Sequence, residues 1–412
     1  MNSSEISTSA SIPLFRVALV LAVGVSAAVN VGKVPAALPA LQQAFAMTLV
    51  QASFLVSVFQ VAGMLFGLFG GVLADRFGAR NVMVAGLGLL AAACVLGAVS
   101  SSAWMLLLSR AMESAGFLLS VLPGPAMLRR LVGNLRFPTV LGWWGTYMPI
   151  GTTVGLIVTP WLIQAGGWPI AWWFAGGAAV GVMLLVLRGL PADPAGQAMP
   201  VPALTLARDT IRAPGPWMLA ACFGLYAGQF ISVFGFLPTV YQSSGIGAGL
   251  AGFLTALGVL SNVIGNIVSG ALMQRGVSRT RVLGLASAVM ILCALLAFAE
   301  PLPFGFRYGA VLVLSGVGGL IPGTLFTTVA RFAPYPGAVS TATGLMQQGS
   351  MVGQFFAPPL VALVASTSGG WQSGSWVIAT MAMLNIGVAA LIGRHDLRHG
   401  GAPALRASSQ SG

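Results

Sequence analysis

Residues 71–80 read G-V-L-A-D-R-F-G-A-R, and 199 positions later residues 270–279 read G-A-L-M-Q-R-G-V-S-R. Each is a short basic interruption between long apolar runs, and their arginines fall in register: Arg76 with Arg275, Arg80 with Arg279. The same offset pairs Pro39 with Pro238, Gln43 with Gln242, Pro123 with Pro322 and Pro160 with Pro359. Matching Gly, Ala or Leu means little in so apolar a chain. Matches of the rarer Pro, Gln and Arg point to an internal duplication.

The composition explains what these loops interrupt. Of 412 residues, 19 are Lys or Arg and 7 are Asp or Glu, so 6% are charged, against roughly 25% in a soluble domain. With 57% hydrophobic residues and 55 Gly besides, a soluble core of this size lacks the polar surface to cover itself. Disorder and coiled coil need many more charges, and collagen needs a strict Gly period. Runs of about 20 apolar residues, the length of a membrane-crossing helix, occur twelve times. The first six lie near 15–38, 48–71, 81–99, 103–127, 137–163 and 168–188, and the second six near 216–240, 247–272, 281–299, 307–330, 340–365 and 372–392. The first run, starting after Phe15-Arg16, is too long for a signal peptide and is expected to stay as a span. The longest polar connection divides the chain into a first half (1–188), a linker (189–215), a second half (216–393) and a tail (394–412). The fold class is an all-α integral membrane protein with twelve transmembrane helices in two pseudo-symmetric six-helix halves. Parallel duplication of this kind is the architecture of a transporter that alternates access by rocking one half against the other.

An even number of spans puts both termini on one side, and the positive charges choose it. Sixteen arginines fall on the terminus side and only Arg307 on the other, which predicts cytoplasmic termini in a cell inner membrane. The net charge of +12 therefore reports topology, and nucleic acid is excluded as a partner. Cys94, Cys222 and Cys293 lie within apolar runs and read as small buried hydrophobes. His395 and His399 are both in the tail, leaving no intramembrane histidine for base or metal chemistry. The Gly32-Lys33 pair lacks the rest of a phosphate loop. No cofactor or metal, and no enzymatic activity, is expected.

Taken together, these motifs resemble the major facilitator superfamily. The 71–80 loop resembles its signature G-x-L-a-D-R-x-G-r-[RK], departing only at Ala79. L-P-x-x-x-Q closes the first span at Leu38 and the seventh at Leu237, and R-A-M-E-S-A-G, Arg110 to Gly116, resembles R-x-x-[QE]-G-x-G with Ser114 in place of the first Gly. G-W-W-G-T-Y-M-P-I-G, Gly142 to Gly151, is similar to the cyanate-type and nitroimidazole-type permeases. The antiporter pattern G-P-x-x-G-G is matched only in part, since Met148 precedes Pro149 and Thr152-Thr153 replace the paired glycines. The resemblance implies a conformational latch at Gly71, Asp75, Arg76, Gly78 and Arg80. Asp75 can accept charge-assisted hydrogen bonds and Gly71 permits close helix approach. In the second copy Gln274 stands where the acid was, so a charge latch is not expected there.

Of the seven acids only Glu113 is well inside a span, with Arg110 three residues before it on the same face. Two readings stand open: a carboxylate that exchanges a proton as access changes, or a permanent ion pair fixing the fourth helix. Lys33, the only lysine and near the outer end of the first span, either attracts an entering anion or snorkels to the interface. Asn30 and Gln229 correspond at the 199 offset and are expected to line a central cavity or to pair across helices. Tyr147, Tyr226 and Gln347, with Trp144 and Gln348, form a second tier of substrate contacts, while Trp172 and Trp173 read as packing or aromatic belt. The expected function is secondary transport of a small organic anion or polar metabolite, coupled to protons, by a monomer in the lipid bilayer. The alternative is proton-driven efflux of drug-like or siderophore-like compounds.

Overall fold

The computed structural model describes residues 13–69, 77–192, 203–335, 338–368 and 370–399. Among them, twelve helices are long and apolar enough to cross a membrane. In chain order these are α1 (Leu14–Phe45), α2 (Leu49–Phe66), α3 (Ala79–Ala98), α4 (Ala103–Gly133), α5 (Tyr147–Gly166) and α6 (Pro169–Gly189). The second set comprises α7 (Pro214–Ser243), α8 (Ala248–Gln274), α9 (Arg279–Ala297), α10 (Phe304–Phe332), α11 (Val339–Thr367) and α12 (Trp371–His399). A short linker helix, Ala203–Arg212, precedes α7.

The bounds of four spans differ from the sequence reading. The first and seventh spans run on past Pro39 and Pro238, to Phe45 and Ser243, because neighbouring helices in a bundle tolerate the backbone groups a proline frees. The fifth span begins at Tyr147 rather than near 137. Gly133, at φ +67° and ψ 176°, breaks the helical run Gly124–Trp144 in two and ends α4 there, and glycine adopts that left-handed backbone readily. The last helix continues to His399, so that Arg394, His395 and Asp396 are helical.

Lipid is as apolar as leucine, so close packing of small residues holds such helices together. Two equivalent seams show this. In the first half Gly32 of α1 lies against the Thr152 carbonyl of α5, and Gly155 of α5 against the Val29 carbonyl of α1. In the second half Gly224 of α7 lies against the backbone of Gly349 and Gly353 of α11. No Cβ fits at these places. The halves meet along α2 and α11, where Gly63 packs on Met351 and the Gln348 amide donates to the Met64 carbonyl at 2.6 Å. They meet again where Gly252 of α8 lies against the Leu156 carbonyl of α5.

Candidate transport site

The first half encloses a charged cluster contributed by five helices. Glu113, Arg110 and Ser109 come from α4, Lys33 and Asn30 from α1, Cys94 from α3 and Trp172 from α6, and α2 closes one side with Leu55 and Phe59. Lys33, Arg110 and Glu113 are each at most 1% exposed. The carboxylate is shared between two cations: Lys33 Nζ lies 2.8 Å from Oε1, and Arg110 Nη1 pairs with Oε2. The Ser109 hydroxyl donates to Oε1 at 3.4 Å. Isolated charges at this depth carry a desolvation penalty of several kcal/mol apiece, and close pairing of opposite charges is what makes the burial tolerable.

The two cations are held differently. Arg110 is tied to backbone, its Nε donating to Leu55 O at 2.9 Å and Nη1 to Asn30 O at 3.1 Å, with its guanidinium 4.4 Å from the centre of the Phe59 ring. It joins α1, α2 and α4 through a planar fork. Apart from Glu113, the ammonium of Lys33 has only uncharged partners. It donates to Asn30 Oδ1 at 2.6 Å and to Cys94 Sγ at 3.4 Å, and sits 4.6 Å from the Trp172 ring centre, where the π face attracts a cation. Two cations against one carboxylate leave the fully ionised cluster one positive charge in excess.

Several expectations change here. Lys33 neither snorkels nor sits at the outer end of a span: it is buried within α1 and paired to an acid 80 residues away. Asn30 does not line an open cavity. Its amide donates to Ser26 O and Ala27 O, and its carbonyl oxygen accepts from Lys33 and Cys94. Cys94 is buried as expected, but as a hydrogen-bonding member of the cluster. Trp172, read as packing or belt, packs directly over the Lys33 charge, whereas Trp173 is half-exposed. Gln229 is buried, its Nε2 donating to Leu225 O at 2.9 Å while its Oε1 has no hydrogen-bond partner. Tyr147 packs at a tilt of 37° against Trp144, with ring centres 4.5 Å apart, and against Gly24. Gln347 is half-buried in α11.

Sequence reasoning missed a neutral chain in the second half. Asn262 of α8 donates to the Tyr226 hydroxyl at 2.8 Å and to Ser315 O at 2.9 Å, and Asn266 donates to Asn262 Oδ1 at 2.9 Å. Asparagines at i and i+4 in an apolar helix were the available signal. Among the described residues no three His, Cys, Asp or Glu side chains come together as a metal site would require.

Of the expected latch, Gly71, Asp75 and Arg76 lie outside the described residues. Gly78 has φ +86°, and Arg80 donates to Leu187 O in the last turn of α6, where a helix end favours a cation. In the second copy, where Gln274 replaces the acid of the loop, Arg279 finds a carboxylate from another helix. Asp396 of α12 supplies the missing acid, 3.0 Å from Arg279 and 2.6 Å from Arg331.

The profile of the Major Facilitator Superfamily matches residues 19–348. The chain is 24% identical to the cyanate transport protein CynX of Escherichia coli (strain K12) over 86% of this chain and 90% of that protein. It is 26% identical to the probable nitrate/nitrite transporter NarK2 of Mycobacterium tuberculosis (strain ATCC 25618 / H37Rv) over 76% of this chain and 78% of the relative. Its fold is similar to that of a crystallised bacterial homologue of the human lysosomal transporter Spinster, inward-facing and unoccupied. The TM-score is 0.80 at 14% identity, covering 96% of this chain and all of that one.

Proposed function

We propose, for a chain that belongs to the Major Facilitator Superfamily of membrane transporters, that it carries a small monovalent anion across a bacterial inner membrane together with a proton. The observation that carries this reading is the charge count of the buried cluster: Lys33 and Arg110 against Glu113 alone. Similarity to proteins named for cyanate and for nitrate/nitrite supports the same class of substrate. Efflux of drug-like compounds calls for a neutral, adaptable wall, and the excess buried cation favours the anion instead.

In this reading Glu113 carries the proton. Its protonation cancels the negative charge, and Lys33, whose other partners are uncharged, becomes the group available to an anion. Asn30 orients the ammonium. Tyr147, Tyr226, Gln229 and Gln347 supply neutral contacts to the substrate. Access alternates as the halves rock about the α2–α11 and α5–α8 contacts. The 71–80 loop, through Gly71, Asp75, Arg76, Gly78 and Arg80, latches the terminus side, which is cytoplasmic, and one chain suffices.

Reconstituted protein decides the matter. Wild type in liposomes should accumulate cyanate, nitrate or formate when an inward proton gradient is imposed. Glu113→Gln should abolish accumulation while anion counterflow persists. Accumulation by Glu113→Gln with wild-type pH dependence would show that the carboxylate is structural, and flux of neutral or cationic solutes alone would remove the anion assignment.

A further inference from the structure

The second span is broken in the middle without a proline. It is α-helical over Leu49–Ser57, 3-10 over Val58–Gln60, α-helical again over Val61–Phe66 and 3-10 over Gly67–Phe69. Short 3-10 segments inside a long helix mark places where the backbone changes direction or moves. A break leaves carbonyls of the first piece and N–H groups of the second without helical partners, and hydrocarbon offers no water to replace them.

One face of α4 supplies both replacements. Arg110 Nε donates to the carbonyl of Leu55, in the last turn before the break, at 2.9 Å. One turn further along α4, the Ser114 hydroxyl accepts the N–H of Ala62, in the first turn after the break, at 3.0 Å. Between these contacts Phe59 lies under the Arg110 guanidinium and edge-on to Phe117, 5.2 Å between ring centres. Positions 110, 114 and 117 form one helical stripe. Ser114 is the residue that departs from the R-x-x-[QE]-G-x-G pattern, and a glycine there has no oxygen to offer Ala62.

Both pieces of α2 face the second half: before the break Val56 lies against Gly235 of α7, and beyond it the contact is with α11. Gly63 packs on Met351, Met64 O accepts from Gln348, and Gly67 lies against Gln348. We infer that Ser114 is a positioning residue which, with Arg110, splints the break in α2, so that the charge on Glu113 is transmitted through Arg110 to the α2–α11 contact. The titratable groups facing Glu113 are Lys33, Cys94 and Arg110. Arg110 alone among them also holds α2. The splint itself is independent of the proposed transport reaction; its response to Glu113 rests on that residue being the proton carrier.

Amide hydrogen exchange followed by mass spectrometry on the full-length protein in nanodiscs, without substrate, tests this. Ser114→Ala should speed exchange across 58–69 by roughly 2- to 10-fold, the range for loss of one such hydrogen bond, and speed it in the facing 339–351 segment. The α5–α8 contact, near 152–161 and 248–256, should exchange as in wild type. Ser114→Thr, which keeps a hydroxyl, should restore the wild-type pattern. Glu113→Gln should shift the same two segments. Unchanged exchange at 58–69 in Ser114→Ala, or an equal rise along the whole chain, overturns the splint. An unchanged 58–69 in Glu113→Gln overturns its link to the charge cluster. Absence of anion flux in liposomes alongside the expected exchange pattern refutes the transport reading and leaves the splint standing.

Discussion

Replacing Lys33 by Met keeps the length of the side-chain stem, with sulfur in place of one methylene, and removes the ammonium, so core volume is nearly conserved. Glu113 then loses a partner at 2.8 Å and keeps Arg110 and the Ser109 hydroxyl. Taking one member from a buried ion pair costs about 3–5 kcal/mol. Because Arg110 still faces the carboxylate, Lys33→Met belongs at the lower end, about 3 kcal/mol, which is more than about a hundredfold in the folded-to-unfolded ratio. Glu113→Gln leaves two cations facing a neutral amide and should cost about 4 kcal/mol. The double variant removes both members of one pair, so its cost should fall short of the sum by about 2–3 kcal/mol, the size of coupling found between groups in direct contact. Equilibrium unfolding of the four proteins in mixed micelles with rising SDS fraction measures all three differences. Additivity within about 0.5 kcal/mol would refute the pairing of Lys33 with Glu113 and, with it, the charge count on which the proposed function stands.

The sixteen-to-one arginine bias predicts that Pro301→Cys reacts with an impermeant thiol reagent added outside intact cells and that Pro194→Cys does not. The native cysteines are buried and should contribute little background; reversed labelling would invert the topology. Gly353→Ala places a Cβ against the Gly224 carbonyl of α7 and should destabilise by about 1–3 kcal/mol. Gly181→Ala, which meets open space, should be neutral or slightly stabilising. Equal effects of the two in the micelle assay would discount the close α7–α11 seam.

Span number, the two halves and the transporter fold were legible in the sequence because they follow from quantities that local composition fixes. The apolar length needed to cross a bilayer, the sidedness of arginine and a repeat offset can all be counted without knowing how helices rotate. The cluster was only half legible. Arg110 and Glu113 share one helix, so their spacing places them together, but Lys33 is 80 residues from Glu113. Whether it meets that acid depends on which face α1 turns toward α4. A helix apolar all round gives no amphipathic signal to report its orientation, and the close approach of α1 to α5 at Gly32 and Gly155 sets it instead. The same holds for Asp396, read as part of a tail until α12 is seen to carry it between Arg279 and Arg331. Ser114 showed in the sequence only as a departure from a pattern. Its partner is a backbone N–H exposed by a break in another helix, and no side-chain letter records where such a group is left unpaired. The sequence by itself determined how many helices cross and which ends share a side; rotation and contact, decided by tertiary packing, determined which charges meet and what holds the broken span.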